Sequence, residues 1–117
     1  MLKSVFRALN FFLAPLRNRI EGRSSKWPAV RKQHLLVSPT CQACGARTYL
    51  EVHHVRPFHL YPELELDQEN LITLCASPCH LIWGHLGDFK AYNPVVREDV
   101  RLYLKKRQLR PYGRESA

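Results

Sequence analysis

The sequence shows neither a recognisable secretory leader nor a membrane span. Its amino-terminal segment, Met1 to Ile20, comes nearest to either. The longest uncharged run there, Ala8 to Leu16, falls far short of the ~20 residues needed to cross a bilayer. Arg7 interrupts what would be a signal-peptide core, and no clean small-residue cleavage site follows. Internal repeats and low-complexity tracts are also missing. Acidic residues are few, 10 Asp/Glu against 18 Lys/Arg, which leaves a net charge of +8. That shortage is local. Residues 1–34 hold eight Lys/Arg and one Glu, and residues 95–117 hold seven Lys/Arg and three acids. The middle, residues 35–94, has three bases and six acids. Basic flanks of this kind can neutralise the phosphates of a nucleic acid, although solubility alone also accounts for them.

With 117 residues the chain makes at most one domain with appended termini. An apolar content of 45% is ordinary for a globular fold and too high for a disordered one. Such a small domain gains noticeably from a metal staple. Residues 1–26 read as an amphipathic basic segment followed by a Gly/Ser linker, 27–92 as the domain, and 93–117 as a basic helix and tail. In the first segment Val5, Leu9, Phe12, Leu13, Leu16 and Ile20 recur at helical spacing, and Pro15 would kink that helix. It fits a helix docked on the domain or on a second copy, a membrane-surface helix, or a targeting segment or tail.

A helix is expected from Pro28 to about Val37, with Pro in its first turn, Trp27 and Leu36 buried, and Arg31 and Lys32 exposed. Ser38-Pro39 should stop it. Thr48 to His54 reads as a strand, Pro57 to Glu69 as a long loop and Leu71 to Cys75 as a second strand. Pro78 suits the start of a helix from Cys79 to about Gly84. Asn93-Pro94 opens another, striped by Val96, Val100, Tyr103 and Leu104, with Arg97, Arg101, Lys105, Lys106 and Arg107 on its remaining surface. Strand, loop, strand and helix make a compact α+β unit.

Between Cys41 and His85 lie more metal-binding side chains than one closed zinc site can use. Cys41 and Cys44 sit at C-x2-C spacing on a knuckle ending in Gly45, and Cys75 and Cys79 form the second pair, C-x3-C. Four thiolates favour a structural zinc, rather than two disulfides, and fill its tetrahedron. Reduced thiols fit a cytoplasmic setting. His53, His54, Asn70 and His80 then need another task. His53 and His80 would hold a catalytic divalent cation (Mg2+, Mn2+, Ni2+ or Zn2+). His54 projects to the other side of an extended strand and suits a general base. Asn70 cannot titrate, so it would orient His54 or support the metal. His59, His85 and Glu51 are weaker candidates, as supporting or surface groups. On a regular helix His85 would lie about 140° from His80 and could not easily share its ion.

These residues resemble the HNH endonucleases, in the zinc-ribbon branch with a ββα-metal (His-Me finger) fold, from about Trp27 to Tyr92. The resemblance is carried by Cys41-x2-Cys44, Leu50-Glu51-Val52-His53-His54-Val55-x-Pro57, Glu69-Asn70-Leu71-x2-Leu74-Cys75 and Cys79-His80. It implies His54 as base, His53 as the ligand that is often Asp in other members, Asn70 as the middle residue of the motif and His80 as its last histidine. The additional residue between Cys75 and Cys79 departs from the pattern. It further implies an enzyme that hydrolyses DNA phosphodiester bonds to 5′-phosphate and 3′-hydroxyl ends. Arg31, Lys32, Arg101, Lys105, Lys106 and Arg107 would contact the backbone. Weak sequence preference and nicking are expected, by a monomer or homodimer, alone or within a phage-packaging or restriction complex. The rival reading is a zinc-ribbon module that binds nucleic acid without cutting it.

Overall fold

The structure is a computed structural model and describes residues 22–109. The amphipathic pattern of residues 1–20 and the tail past residue 109 lie outside the described residues. Among the described residues, no helix is long and apolar enough to cross a membrane.

The centre is a two-stranded antiparallel sheet. Strand β1 (Leu50–His54) pairs with β2 (Leu71–Cys75) in the register Leu50 to Cys75 through His54 to Leu71. β1 starts two residues later than its β-forming composition suggests. Tyr49 takes a left-handed φ of 53°, which breaks the extended run ahead of Leu50. All five residues of β2 are buried, as expected for an apolar run between two layers.

Helix α1 (Trp27–Val37) has proline in its first turn. Leu36, expected in the core, is 69% exposed. Nine residues separate it from Trp27, which is about 180° round an α-helix, so the two cannot share a face. The inward face carries Trp27, Val30 and His34, and it docks largely through polar ties. His34 Nδ1 lies 2.9 Å from Gln68 Oε1, and Gln68 Nε2 donates to the Val30 carbonyl at 3.1 Å. At the helix end the Thr73 hydroxyl donates to the Ser38 carbonyl at 2.8 Å.

The loop between the strands is less irregular than expected. It holds two 3₁₀ turns, Pro62–Leu64 and Gln68–Asn70, and the Asp67 carboxylate caps the second by accepting from the Glu69 amide. After β2 the helical segment expected at Cys79–Gly84 forms a π-helical turn, His80–Gly84. Helix α2 (Val96–Gln108) follows. Its start is fastened to the π turn by buried Asn93, which donates to the Trp83 carbonyl and the Asp99 carboxylate while its amide reaches the Gly84 carbonyl.

One core joins these pieces. Cys41, Ala43, Val55, Ile72, Leu74, Cys75, Cys79, Val96 and Val100 form it, with Cys44, Ala46, Leu50 and Trp83 packed at its edge. Four cysteines in so small a core make the fold depend on what they bind.

Candidate active site

The four thiols converge. Cys41, Cys44, Cys75 and Cys79 are free, and their sulfurs all lie within 4.8 Å of one another. Cys44 Sγ and Cys75 Sγ are 3.8 Å apart. Sulfurs about 2.3 Å from a tetrahedral zinc would be about 3.8 Å from each other, so the donor set fits that ion. Gly45, with φ +79°, turns the knuckle, and the Gln42 amide ties it to the Thr73 carbonyl of β2. Burial raises the Cys41 thiol, but backbone N–H groups of Cys44, Cys75 and Ala43 outweigh it and bring the pKa down to about 7. Burial pushes Cys44 and Cys79 up instead. A cation is what would let all four ionise together.

The second cluster is built from β1 and the π turn. His53 Nδ1 and His80 Nε2 are 3.1 Å apart, and His80 Nε2 and His85 Nε2 are 3.2 Å apart. His80 Nδ1 meets the Glu51 carboxylate in a short hydrogen bond, and His85 Nδ1 donates to the Ala91 carbonyl at 2.8 Å. With their Nδ1 protons committed, the Nε2 atoms of His80 and His85 present lone pairs to each other. Such an arrangement fits a cation between them: nitrogens about 2.0–2.1 Å from zinc would be roughly 3.3 Å apart in a tetrahedral site.

His85 is thus brought to His80, contrary to the expectation from regular helical rotation. In a π turn the hydrogen-bond ladder runs i→i+5, so residues five apart stack one above the other. Gly84 permits the close approach. A Cβ there would lie 2.9 Å from His53 Cε1, with both ring nitrogens at 3.1 Å. The isolated glycine within a helical segment was the available signal for this contact. Glu51, read as a weaker candidate, is the carboxylate that orients His80.

His54 points the other way, as strand alternation requires. Its Nε2 lies 2.9 Å from the Glu65 carbonyl, which fixes the proton there and leaves a lone pair on Nδ1. Trp27 lies on its ring at 4.5 Å between centroids. Burial lowers the pKa of His54 against the pull of that carbonyl, and the nearby Arg23 charge lowers it further. Burial, then the charges of His80 and His85, bring His53 down to about 3. Burial also lowers His80, against the opposing effect of Glu51. These three rings are therefore neutral near pH 7.

Asn70 is buried and touches neither histidine cluster directly. Its Oδ1 accepts from the Arg56 amide at 2.9 Å, and its Nδ2 donates to the Arg56 and Leu64 carbonyls at 3.0 and 3.2 Å. One bond set grips the chain two residues past His54, and the other grips the residue before Glu65. Asn70 thus holds the two backbone segments that aim the His54 ring. Glu65 has no place in the sequence reading, because its contact with His54 runs through the main chain.

Arg23, Val52, His53, His54, His80 and His85 line one cleft of about 340 Å³, with Phe58, His59 and Phe89 on its walls. His59 is exposed there. Arg31 and Lys32 on α1 and Arg101, Lys105 and Lys106 on α2 are exposed. Arg107 is the exception among the expected nucleic-acid contacts. It is half-buried, and its Nη1 donates to the Cys44 carbonyl at 2.9 Å, fastening α2 to the knuckle.

Residues 41–85 match the family model for HNH endonuclease. This stretch is an HNH endonuclease domain and takes the ββα-metal fold that the family implies. No curated protein and no solved structure matches the chain. The family assigns a nuclease or nucleic-acid-binding role with DNA as partner, and the cysteine cluster assigns metal binding.

Proposed function

We propose that the chain is a metal-dependent endonuclease that hydrolyses DNA phosphodiester bonds. The observation that carries this reading is the convergence of His53, His80 and His85 on one side of β1, with His54 lining the same cleft. A divalent cation held by the three imidazoles would act as Lewis acid on a phosphate oxygen and on the departing 3′-oxygen. Mg2+, Mn2+, Ni2+ and Zn2+ are the candidates, with zinc at the four cysteines.

His54 takes a proton from water at Nδ1 as the water oxygen attacks phosphorus. The bond to the 3′-oxygen breaks, that oxygen acquires a proton, and the ends are 5′-phosphate and 3′-hydroxyl. Glu65 keeps the proton-bearing nitrogen turned away, and Trp27 fixes the plane of the ring. Asn70 acts as a positioning residue through the backbone. Arg31, Lys32, Arg101, Lys105 and Lys106 hold the duplex by its phosphates, which carries no sequence information. A single cleft in one chain fits nicking with weak sequence preference.

Nicking of supercoiled plasmid in each metal tests the reading. His54→Ala should lower the rate by on the order of 10²–10⁴ while DNA affinity survives, and EDTA should abolish cutting. A wild-type protein that binds DNA and never nicks it would favour the binding module.

A further inference from the structure

Arg23 lies eighteen positions before the matched segment begins, and no motif singles it out. We propose that Arg23 is a substrate-contacting catalytic residue whose guanidinium holds a non-bridging oxygen of the phosphodiester under attack. The inference rests on the hydrolytic reading above and names a group that reading does not use.

Its place in the cleft is fixed from several sides. The guanidinium carbon is 5.5 Å from the Trp27 ring centroid and 4.8 Å from that of Phe58. Trp27 in turn packs on His54, so guanidinium, indole and general base form a chain of successive contacts. Nη1 stands 3.8 Å from Glu65 Oε2, too far for a hydrogen bond, so the carboxylate attracts the charge without consuming its N–H groups. Both Glu65 oxygens instead accept from the Ser24 amide, at 3.2 and 3.3 Å. The Arg23 side chain remains 51% exposed and lines the cleft with His53, His54, His80 and His85.

A planar fork of donors held in this way matches the geometry of phosphate oxygens. Charge on those oxygens increases as water adds, so a fixed cation there lowers the barrier more than it strengthens ground-state binding. The competing role is purely structural: Arg23 as a clip that joins residues 22–26 to Glu65.

Two measurements on the full chain separate these. The first is plasmid nicking by wild type, Arg23→Gln and Arg23→Lys. The second is the salt dependence of binding to a short DNA duplex, measured in the His54→Ala background with and without Arg23→Gln so that nothing is cut. Arg23→Gln should slow nicking by on the order of 10²–10³. It should also reduce the slope of log K against log salt by about 0.9, the loss of one phosphate contact. Arg23→Lys should restore the slope and only part of the rate. Unchanged slope and unchanged rate would overturn the proposal, as would a lower melting temperature with the slope intact. If wild type binds duplex but does not nick it, the hydrolytic reading falls and the slope alone decides whether Arg23 holds phosphate. If wild type binds no duplex, both fall.

Discussion

The two donor clusters sit on the same small sheet yet differ in almost every physical respect. The cysteine cluster has four donors, is largely buried within the core and ties the knuckle to the segment after β2. The histidine cluster has three donors, lines a cleft and is steadied by Glu51 and the Ala91 carbonyl. A closed tetrahedron has no position for substrate, whereas three donors leave one open. One cluster is therefore suited to holding the fold and the other to chemistry. Breaking each in turn should produce failures of different kinds.

The largest expected effect comes from the closed cluster. Cys79→Ser removes one thiolate from a site whose zinc contributes on the order of 10 kcal/mol in small zinc domains. That is comparable with the whole stability of a domain this size, about 5–15 kcal/mol. The variant should lose its cooperative thermal transition and its tightly held zinc together, as followed by circular dichroism and metal analysis. A folded Cys79→Ser protein would show the cysteines to be ordinary core residues.

His85→Ala should leave that transition and that zinc in place. It should weaken the second metal by more than the roughly 10–100-fold lost with an outer-shell partner, and cutting should fall in parallel. Metal titration of the zinc-loaded protein measures it. Unaltered affinity would return His85 to the supporting role expected from regular helical rotation.

Gly84→Ala sharpens the comparison further, because it touches the histidine cluster without removing a donor. The added methyl meets the His53 ring at 2.9 Å. Overpacking of this kind costs about 1–3 kcal/mol, here divided between fold stability and second-metal affinity. The cysteine site should be unchanged, as read by its zinc content.

Acid should produce the gentlest change. The folded pKa of His53 is lowered from 6.5 to about 3, so above pH 6.5 the ring is neutral whether the chain is folded or not. Between pH 6.5 and about 3 the unfolded chain takes up a proton that the folded chain refuses. Folding stability therefore falls as pH falls, by at most about 1.4 kcal/mol per pH unit from this group. Wild type and His53→Asn melted between pH 7 and 5 should differ in slope, with wild type the steeper. Parallel slopes would remove His53 as the cause.

How much of this was legible in the sequence depended on whether the signal was local. The cysteine spacings marked one site, and strand alternation turned His53 and His54 to opposite faces. The apolar run Leu71–Cys75 identified β2 to the residue. What stayed hidden arose from tertiary contact or from backbone that departs from regular geometry. His85 was misjudged because a uniform α-helix was assumed where a π turn forms. The role of Glu65 runs through its carbonyl, which carries no side-chain signature. The contact of Trp27 with His54 joins residues 27 apart, and the spacing that placed Leu36 in the core overlooked its half-turn offset from Trp27. Tyr49 has the composition of a strand residue and the φ of a turn.

The most direct measurement is a cobalt titration of the metal-free chain, read by absorption and by metal count. The account predicts two equivalents per chain: one with intense thiolate-to-cobalt charge transfer, and a second without it that disappears in the His80→Ala variant. A single equivalent, or a second one indifferent to His80, would contradict it.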